Sequence, residues 1–312
     1  MSPICNILVI VDPTAQEHPA VAKGALLAKR FAARLELFIC DTKASREARI
    51  AAHARRHADD PLITNPKALL ESLAVPLRDR GLDVTTETIC ADPLHAALLD
   101  RVQRTTAELV VKDTHHHSIA RRTFLSNTDW QLIRGCHVPL LLTKARSWAQ
   151  SPRVLAAVDP GHVNDKPMLL DQHILDEASA FSHRLGGELH VLHAYLPVAI
   201  VAAASAAMPP MAGVYSADDL VREHESQMKL LSALVSDYKV PVENMHLEVG
   251  GPAEVLPRVA GTLAADITVM GAISRSGLQR AFIGSTAEDV LENLPCDALI
   301  VKTPDFASLL PF

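Results

Sequence analysis

The run Asn6-Ile7-Leu8-Val9-Ile10-Val11-Asp12-Pro13 (N-I-L-V-I-V-D-P) returns as Arg153-Val154-Leu155-Ala156-Ala157-Val158-Asp159-Pro160 (R-V-L-A-A-V-D-P). Each is a short apolar, β-rich run that stops at Asp-Pro, and an internal repeat of this length points to two copies of one folding unit. Further matches follow in the same order. Ala91-Asp92-Pro93, a helical pattern and E-L-V-V-K correspond to Gly250-Gly251-Pro252, a helical pattern and D-I-T-V-M-G. Both copies close on a buried strand pattern, Val138 to Lys144 (V-P-L-L-L-T-K) and Cys296 to Lys302 (C-D-A-L-I-V-K). In copy one, Lys112, His115 and Ser126 stand against Gly271, Ser274 and Gly284 of copy two.

Within each copy, strands of Val, Ile and Leu alternate with longer amphipathic patterns, which predicts a parallel α/β sheet. Copy one reads as strands at Asn6–Val11, Arg34–Cys40, Asp83–Ile89, Leu109–Lys112 and Leu140–Thr143. Helices are expected at Pro19–Ala33, from Lys43 through His57 and beyond, and at Pro66–Arg80, Pro93–Thr105 and Asn127–Cys136. Copy two repeats that order with extra residues, placed most simply in Leu196 to Gly213. Residues 1–146 and 151–304 form the two domains, joined by a short polar linker from Ala145 to Pro152.

Composition narrows the function. The chain has 312 residues, 48% of them hydrophobic, enough for two cores. With 30 basic and 36 acidic residues its net charge is −6, which gives no electrostatic footprint for nucleic acid. Five scattered cysteines, without a C-x-x-C spacing, suit a reducing cytoplasm better than a disulfide framework. The N-terminus runs into a strand pattern without a charged leader, so no signal peptide is expected. The Leu196 to Gly213 run is apolar but short and interrupted by Pro209 and Pro210, so no membrane span is expected.

Thr268 to Val290 (T-V-M-G-A-I-S-R-S-G-L-Q-R-A-F-I-G-S-T-A-E-D-V) carries the main site signal. A strand passes into a loop holding Gly271, Ser274, Gly277 and Gly284, and then into a helix with Ser285 and Thr286 in its first turn. Glycines admit backbone close to a ligand, and a helix N-terminus offers free N–H groups and a favourable dipole to phosphate. The competing reading is a glycine-bent α/β turn with Ser285 and Thr286 as simple caps. Asp159, ending the first strand of copy two, could accept from a ribose hydroxyl or an exocyclic amine, or merely close a turn before Pro160. Neither G-x-x-x-x-G-K-S/T nor G-x-G-x-x-G occurs, which argues against a P-loop or a dinucleotide fold.

The doubled α/β unit, the strand-Asp-Pro opening and the run G-A-I-S-R-S-G-L-Q-R-A-F-I-G-S-T-A-E-D-V-L resemble the universal stress protein family in its tandem, E-type form. The resemblance covers nearly the whole chain. It implies two domains, each a five-stranded open parallel sheet flanked by helices, of the adenine nucleotide alpha hydrolase-like kind. The family's ATP-binding members carry G-x-x-G, nine residues, then G-S/T. Here Gly271, the nine residues Arg275 to Ile283, Gly284 and Ser285 fall in register, while Ser274 replaces the second glycine. The resemblance further implies that Asp159 and Ala194 hold adenosine, that Met270 lies beside the sugar, and that Gly284, Ser285 and Thr286 meet phosphate. Copy one lacks the motif glycines and resembles a degenerate half that does not bind ATP in the family's manner.

The expected function is therefore a cytoplasmic stress-response protein whose C-terminal domain binds ATP or a related adenine nucleotide and acts as a switch or scaffold. A carrier or sensor of an apolar, lipid-like molecule, built on Leu196 to Gly213, is the alternative. Protein partners are not named by the sequence, and a homodimer is left open. His53 and His57 at i,i+4, with His115 of the His115-His116-His117 run, are the candidate zinc ligands, set against the simpler reading of solvated histidines. No catalytic set emerges, so any ATPase activity is expected to be weak.

Overall fold

The computed structural model describes residues 4–56, 65–114, 125–161, 169–198, 217–271 and 285–303, with backbone alone at 52–56 and 285. The apolar runs become strands β1 (Asn6–Ile10), β2 (Arg34–Cys40), β3 (Val84–Ile89), β4 (Leu109–Asp113) and β5 (Leu140–Thr143). Their counterparts in copy two are β6 (Arg153–Val158), β7 (Glu188–Tyr195), β8 (Met245–Val249), β9 (Ile267–Gly271) and β10 (Asp297–Val301). The described helices are α1 (Pro19–Phe31), α2 (Lys43–Arg56), α3 (Pro66–Arg78), α4 (Leu94–Arg104), α5 (Asn127–Gly135), α6 (Leu170–Leu185), α7 (Ala217–Val235), α8 (Pro252–Thr262) and α9 (Ser285–Asn293).

Strand side chains alternate between two faces, and both faces are covered. Ile7, Val9, Leu35, Leu37, Val154 and Ala156 enter one core, with Leu27 of α1, Leu70 of α3, Phe181 of α6 and Leu231 of α7. Leu8, Ile10, Leu155 and Leu192 enter the other, with Leu98 of α4, Leu132 of α5, Leu256 of α8 and Leu291 of α9. The continuous apolar runs are the consequence: a central parallel strand has no wet face to spend polar residues on.

Each copy forms a five-stranded parallel sheet, as its pattern predicts, but the two sheets are one. The strand order is β3-β2-β1-β4-β5-β10-β9-β6-β7-β8, a single ten-stranded sheet. Its halves meet where β5 and β10 run antiparallel, with Leu141 opposite Leu299. Those two leucines hold the same place in their copies, so a local two-fold axis passes between them.

The Ala145 to Pro152 segment is more than a polar linker. Asp297, almost fully buried, accepts from Lys23 Nζ (2.6 Å), from the Lys144 backbone N (2.8 Å) and from Trp148 Nε1 (2.8 Å). Burial pushes its carboxyl up, and the Lys23 ammonium draws it back down. Around the axis, Lys302 Nζ donates to Arg134 O at the end of α5 (2.9 Å), and Lys144 Nζ donates to Leu294 O beyond α9. Each closing lysine thus caps the helix of the other copy.

Candidate functional site

In an open parallel sheet the crevice lies beyond the strand C-termini, where the order reverses. Here that is between β1 and β4 in copy one, and between β6 and β9 in copy two.

Pairing register fixes which residues are equivalent. Ile7 faces Leu109 and Val9 faces Val111; Val154 faces Ile267 and Ala156 faces Val269. Lys112 therefore stands where copy two has Met270, and Asp113 stands at the place of Gly271. The expected match of Lys112 with Gly271 is off by one residue. Matching Pro93 to Pro252 produces that slip, because the helix N-caps are Pro93 and Gly251; laying E-L-V-V-K directly on D-I-T-V-M gives the ladder's answer.

In copy two, Val158 pairs with His193, so Asp159 lies level with Ala194 on one side and beside the end of β9 on the other. Met270 is buried, and Gly271 closes β9 half-buried. A Cβ on Gly271 would lie 2.7 Å from Leu170 Cδ2 at the start of α6, so a side chain there requires Leu170 to shift. The Asp159 N–H donates to Asp171 Oδ1 (3.1 Å), which leaves its partly exposed carboxylate at the crevice. Thr286 is exposed in the first turn of α9, and Ser285 begins that helix. Ser274 and Gly284 lie outside the described residues. The structure thus gathers Asp159, Ala194, Met270 and Gly271 at one switch point.

Behind Asp159 stands a polar array that motif reading does not find. His193, 1% exposed, sets Nδ1 3.3 Å from Val158 O and 3.9 Å from Asp159 Oδ1, with Nε2 3.2 Å from Gln227 Oε1. Tyr195 OH meets His224 Nδ1 at 3.0 Å. Gln227 and His224 come from α7, more than twenty-five residues downstream of β7, and neither has a local signature.

Copy one fills the same place with its own charges. Asp113 Oδ1 accepts from the Ala20 N–H at the first turn of α1 (2.7 Å) and from Thr143 Oγ1 (2.7 Å). Burial raises its carboxyl, and those two hydrogen bonds oppose the rise. Lys112 Nζ lies 2.7 Å from Asp129 Oδ1 and donates to Asp113 O (2.9 Å). Asp129 also closes a capping box with Ser126 at the N-terminus of α5. Asp12 accepts from Thr14 N (2.8 Å) and Thr14 Oγ1 (2.6 Å). A helix start that could meet a phosphate is already met by carboxylates.

Among the described residues, no three His, Cys, Asp or Glu side chains converge as metal ligands. Of the candidate zinc ligands, His53 is described by its backbone in α2 alone, and His57 and His115 lie outside the described residues. No described helix is long and apolar enough to cross a membrane. Of the Leu196 to Gly213 run, Leu196 and Val198 are described and exposed, and 199–213 lie outside.

The model of the Universal stress protein family matches residues 4–144 and again 152–302. Universal stress protein E of Escherichia coli K12 is 27% identical over 303 residues, spanning 96% of this chain and 94% of its own. Its Salmonella typhi namesake is 26% identical over 304 residues, spanning 96% and 95%. Among solved structures, a putative universal stress protein from Pseudomonas aeruginosa UCBPP-PA14 superposes with a TM-score of 0.76 at 27% identity, covering 98% of this chain and 96% of its own. One from Archaeoglobus fulgidus, 14% identical, shares the fold with a TM-score of 0.66 over 97% and 99%.

Proposed function

The chain belongs to the universal stress protein family, in its tandem E-type form, and from that premise we propose that its second domain is an adenine nucleotide site in a stress-response switch. Asp159 accepts from the nucleoside, with Ala194 beside the base and Met270 and Gly271 beside the sugar. Ser274, Gly284, Ser285 and Thr286 take the phosphates at the start of α9, where unpaired N–H groups and the helix dipole favour an anion. One contrast carries the reading: at equivalent switch points copy one sets the buried Asp113 and the Lys112–Asp129 ion pair, whereas copy two sets Met270 and Gly271, without a charge, beside the partly exposed Asp159 carboxylate. The first domain then serves as a rigid partner, fused to the second through β5 and β10.

In this role the nucleotide changes the surface shown to protein partners in the cytoplasm, and hydrolysis is incidental. ATP, ADP and AMP titrated calorimetrically into the full chain should give binding that Asp159→Ala abolishes and Ser274→Gly tightens, since glycine removes a Cβ from the phosphate loop. Absence of heat with all three nucleotides for the wild type, together with binding gained by Ser274→Gly, would mean that Ser274 has closed the site.

A second reading rests on the exposed Leu196 and Val198, 49% and 57% accessible, which lead into an apolar stretch. There the protein carries an apolar small molecule instead. Mass spectrometry of what co-purifies separates the two, as a nucleotide supports the first and a lipid the second.

A further inference from the structure

Glu36 of β2, Glu87 of β3 and Arg101 of α4 form a charged bracket in copy one, with Arg101 Nη2 2.6 Å from Glu36 Oε1 and 2.7 Å from Glu87 Oε2. Sheet register maps Glu36 onto His190 and Glu87 onto His246. The helix N-caps Pro93 and Gly251 and the left-handed residues Thr106 and Ala264 map Arg101 onto Val259. Copy two has thus exchanged an ion-pair bracket for two imidazoles. His190 Nδ1 and His246 Nε2 lie 3.1 Å apart with the rings stacked, and His190 is 6% exposed.

One hydrogen fits between those nitrogens. If His246 Nε2–H donates to His190 Nδ1, the remaining His190 Nε2–H points towards Glu188 Oε2, 3.6 Å away. The reverse tautomer would set a bare lone pair against that carboxylate. A single added proton has a place on His246 Nδ1. A second would put two N–H groups head to head.

We propose that His190 and His246 form an acid-sensitive latch holding edge strand β8 to β7, a device absent from copy one. Among the described strands β8 pairs with β7 alone, and beyond that ladder it is held by Met245 and Leu247 packed on the core. The charged groups around the pair are Glu188 on β7, Arg153 at the start of β6, Glu248 on β8 and Arg258 on α8. Arg258 is engaged by Glu248 at 3.0 Å. Arg153 disfavours charge on His190, while Glu188 favours it. Burial lowers both histidines below the usual imidazole range, and His190 lowers His246 further. For a depressed histidine, the stabilising contribution is present above the ordinary value of about 6.5 and is lost as pH falls through the folded values. Release would reach the crevice, because Ala194 pairs with Glu248 and the Gly250 N–H donates to Tyr195 O (2.9 Å).

Amide exchange on the full chain at pH 7.5 and 5.5, corrected for intrinsic rates, tests the latch with β3 as internal reference. Peptides over 245–249 should lose protection several-fold at pH 5.5 relative to those over 84–89. His246→Gln, which keeps a hydrogen bond without the charge, should remove that difference. An unchanged ratio in the wild type, or the same loss in His246→Gln and His190→Gln, would overturn the proposal. Imidazole titration by NMR on the wild type gives a readout independent of any variant: two coupled steps support the latch, and two independent ordinary titrations refute it.

Discussion

At the place where copy one puts Asp113, copy two puts Gly271, and at the place of Lys112 it puts Met270. One exchange of two adjacent residues replaces a hydrogen-bonded pair of charges at a strand end with an apolar side chain and a glycine. In copy one the carboxylates of Asp113 and Asp129 satisfy the first turns of α1 and α5 from within. In copy two the described end of β9 is Met270 and Gly271, and Leu170 approaches Gly271. The fold tolerates both solutions because strand pairing and the two apolar cores are indifferent to what lies beyond the strand ends.

The largest expected effect tests how the halves depend on each other. Asp297→Ala strands Lys23 in a buried place, and losing one partner of such a pair costs about 3–5 kcal/mol. Urea unfolding should show both copies destabilised together; separate transitions would mean that the sheet is not one cooperative unit. Next, Asp129→Asn keeps the capping geometry of α5 but leaves Lys112 without its carboxylate, at a cost of about 3 kcal/mol. Loss of less than a third of that would show that copy one is not stitched shut by this ion pair. Gly271→Ala, overpacked against Leu170, should cost about 1–3 kcal/mol. It should weaken nucleotide binding as well, whereas Asp113→Ala in copy one should leave binding unchanged.

A pH-dependent effect sharpens the comparison at the shared axis. Burial pushes the Lys302 ammonium down to about 7, and Lys144 is lowered by the same cause. A lysine depressed in the fold keeps its proton in the unfolded chain, so through Lys302 stability rises as pH climbs from about 7 towards about 10. Lys302→Met should flatten that rise in urea midpoints taken across the range.

The repeat, the strand-helix order and the five strands per copy are legible in the sequence, because a strand buried on both faces must be written as an unbroken apolar run. The single ten-stranded sheet is not. Nothing in V-P-L-L-L-T-K or C-D-A-L-I-V-K announces that Leu141 will face Leu299 across an antiparallel seam. Asp159 and Gly271 can be picked out because Asp-Pro and a post-strand glycine are local marks. His193 with Gln227, and Lys112 with Asp129, cannot, since each pair is made by tertiary packing of residues far apart in the chain. The one-residue error at Lys112 has another origin: Pro93 and Pro252 look alike in the sequence, but the helix N-caps are Pro93 and Gly251, so the prolines are one residue out of step.

The central claim is that one copy binds and the other is filled. Isothermal calorimetry of ATP with the full chain measures it directly. The account predicts one site per chain, lost in Asp159→Ala and retained in Asp12→Ala. Two sites per chain, or loss of binding in the Asp12 variant with Asp159 intact, would contradict it.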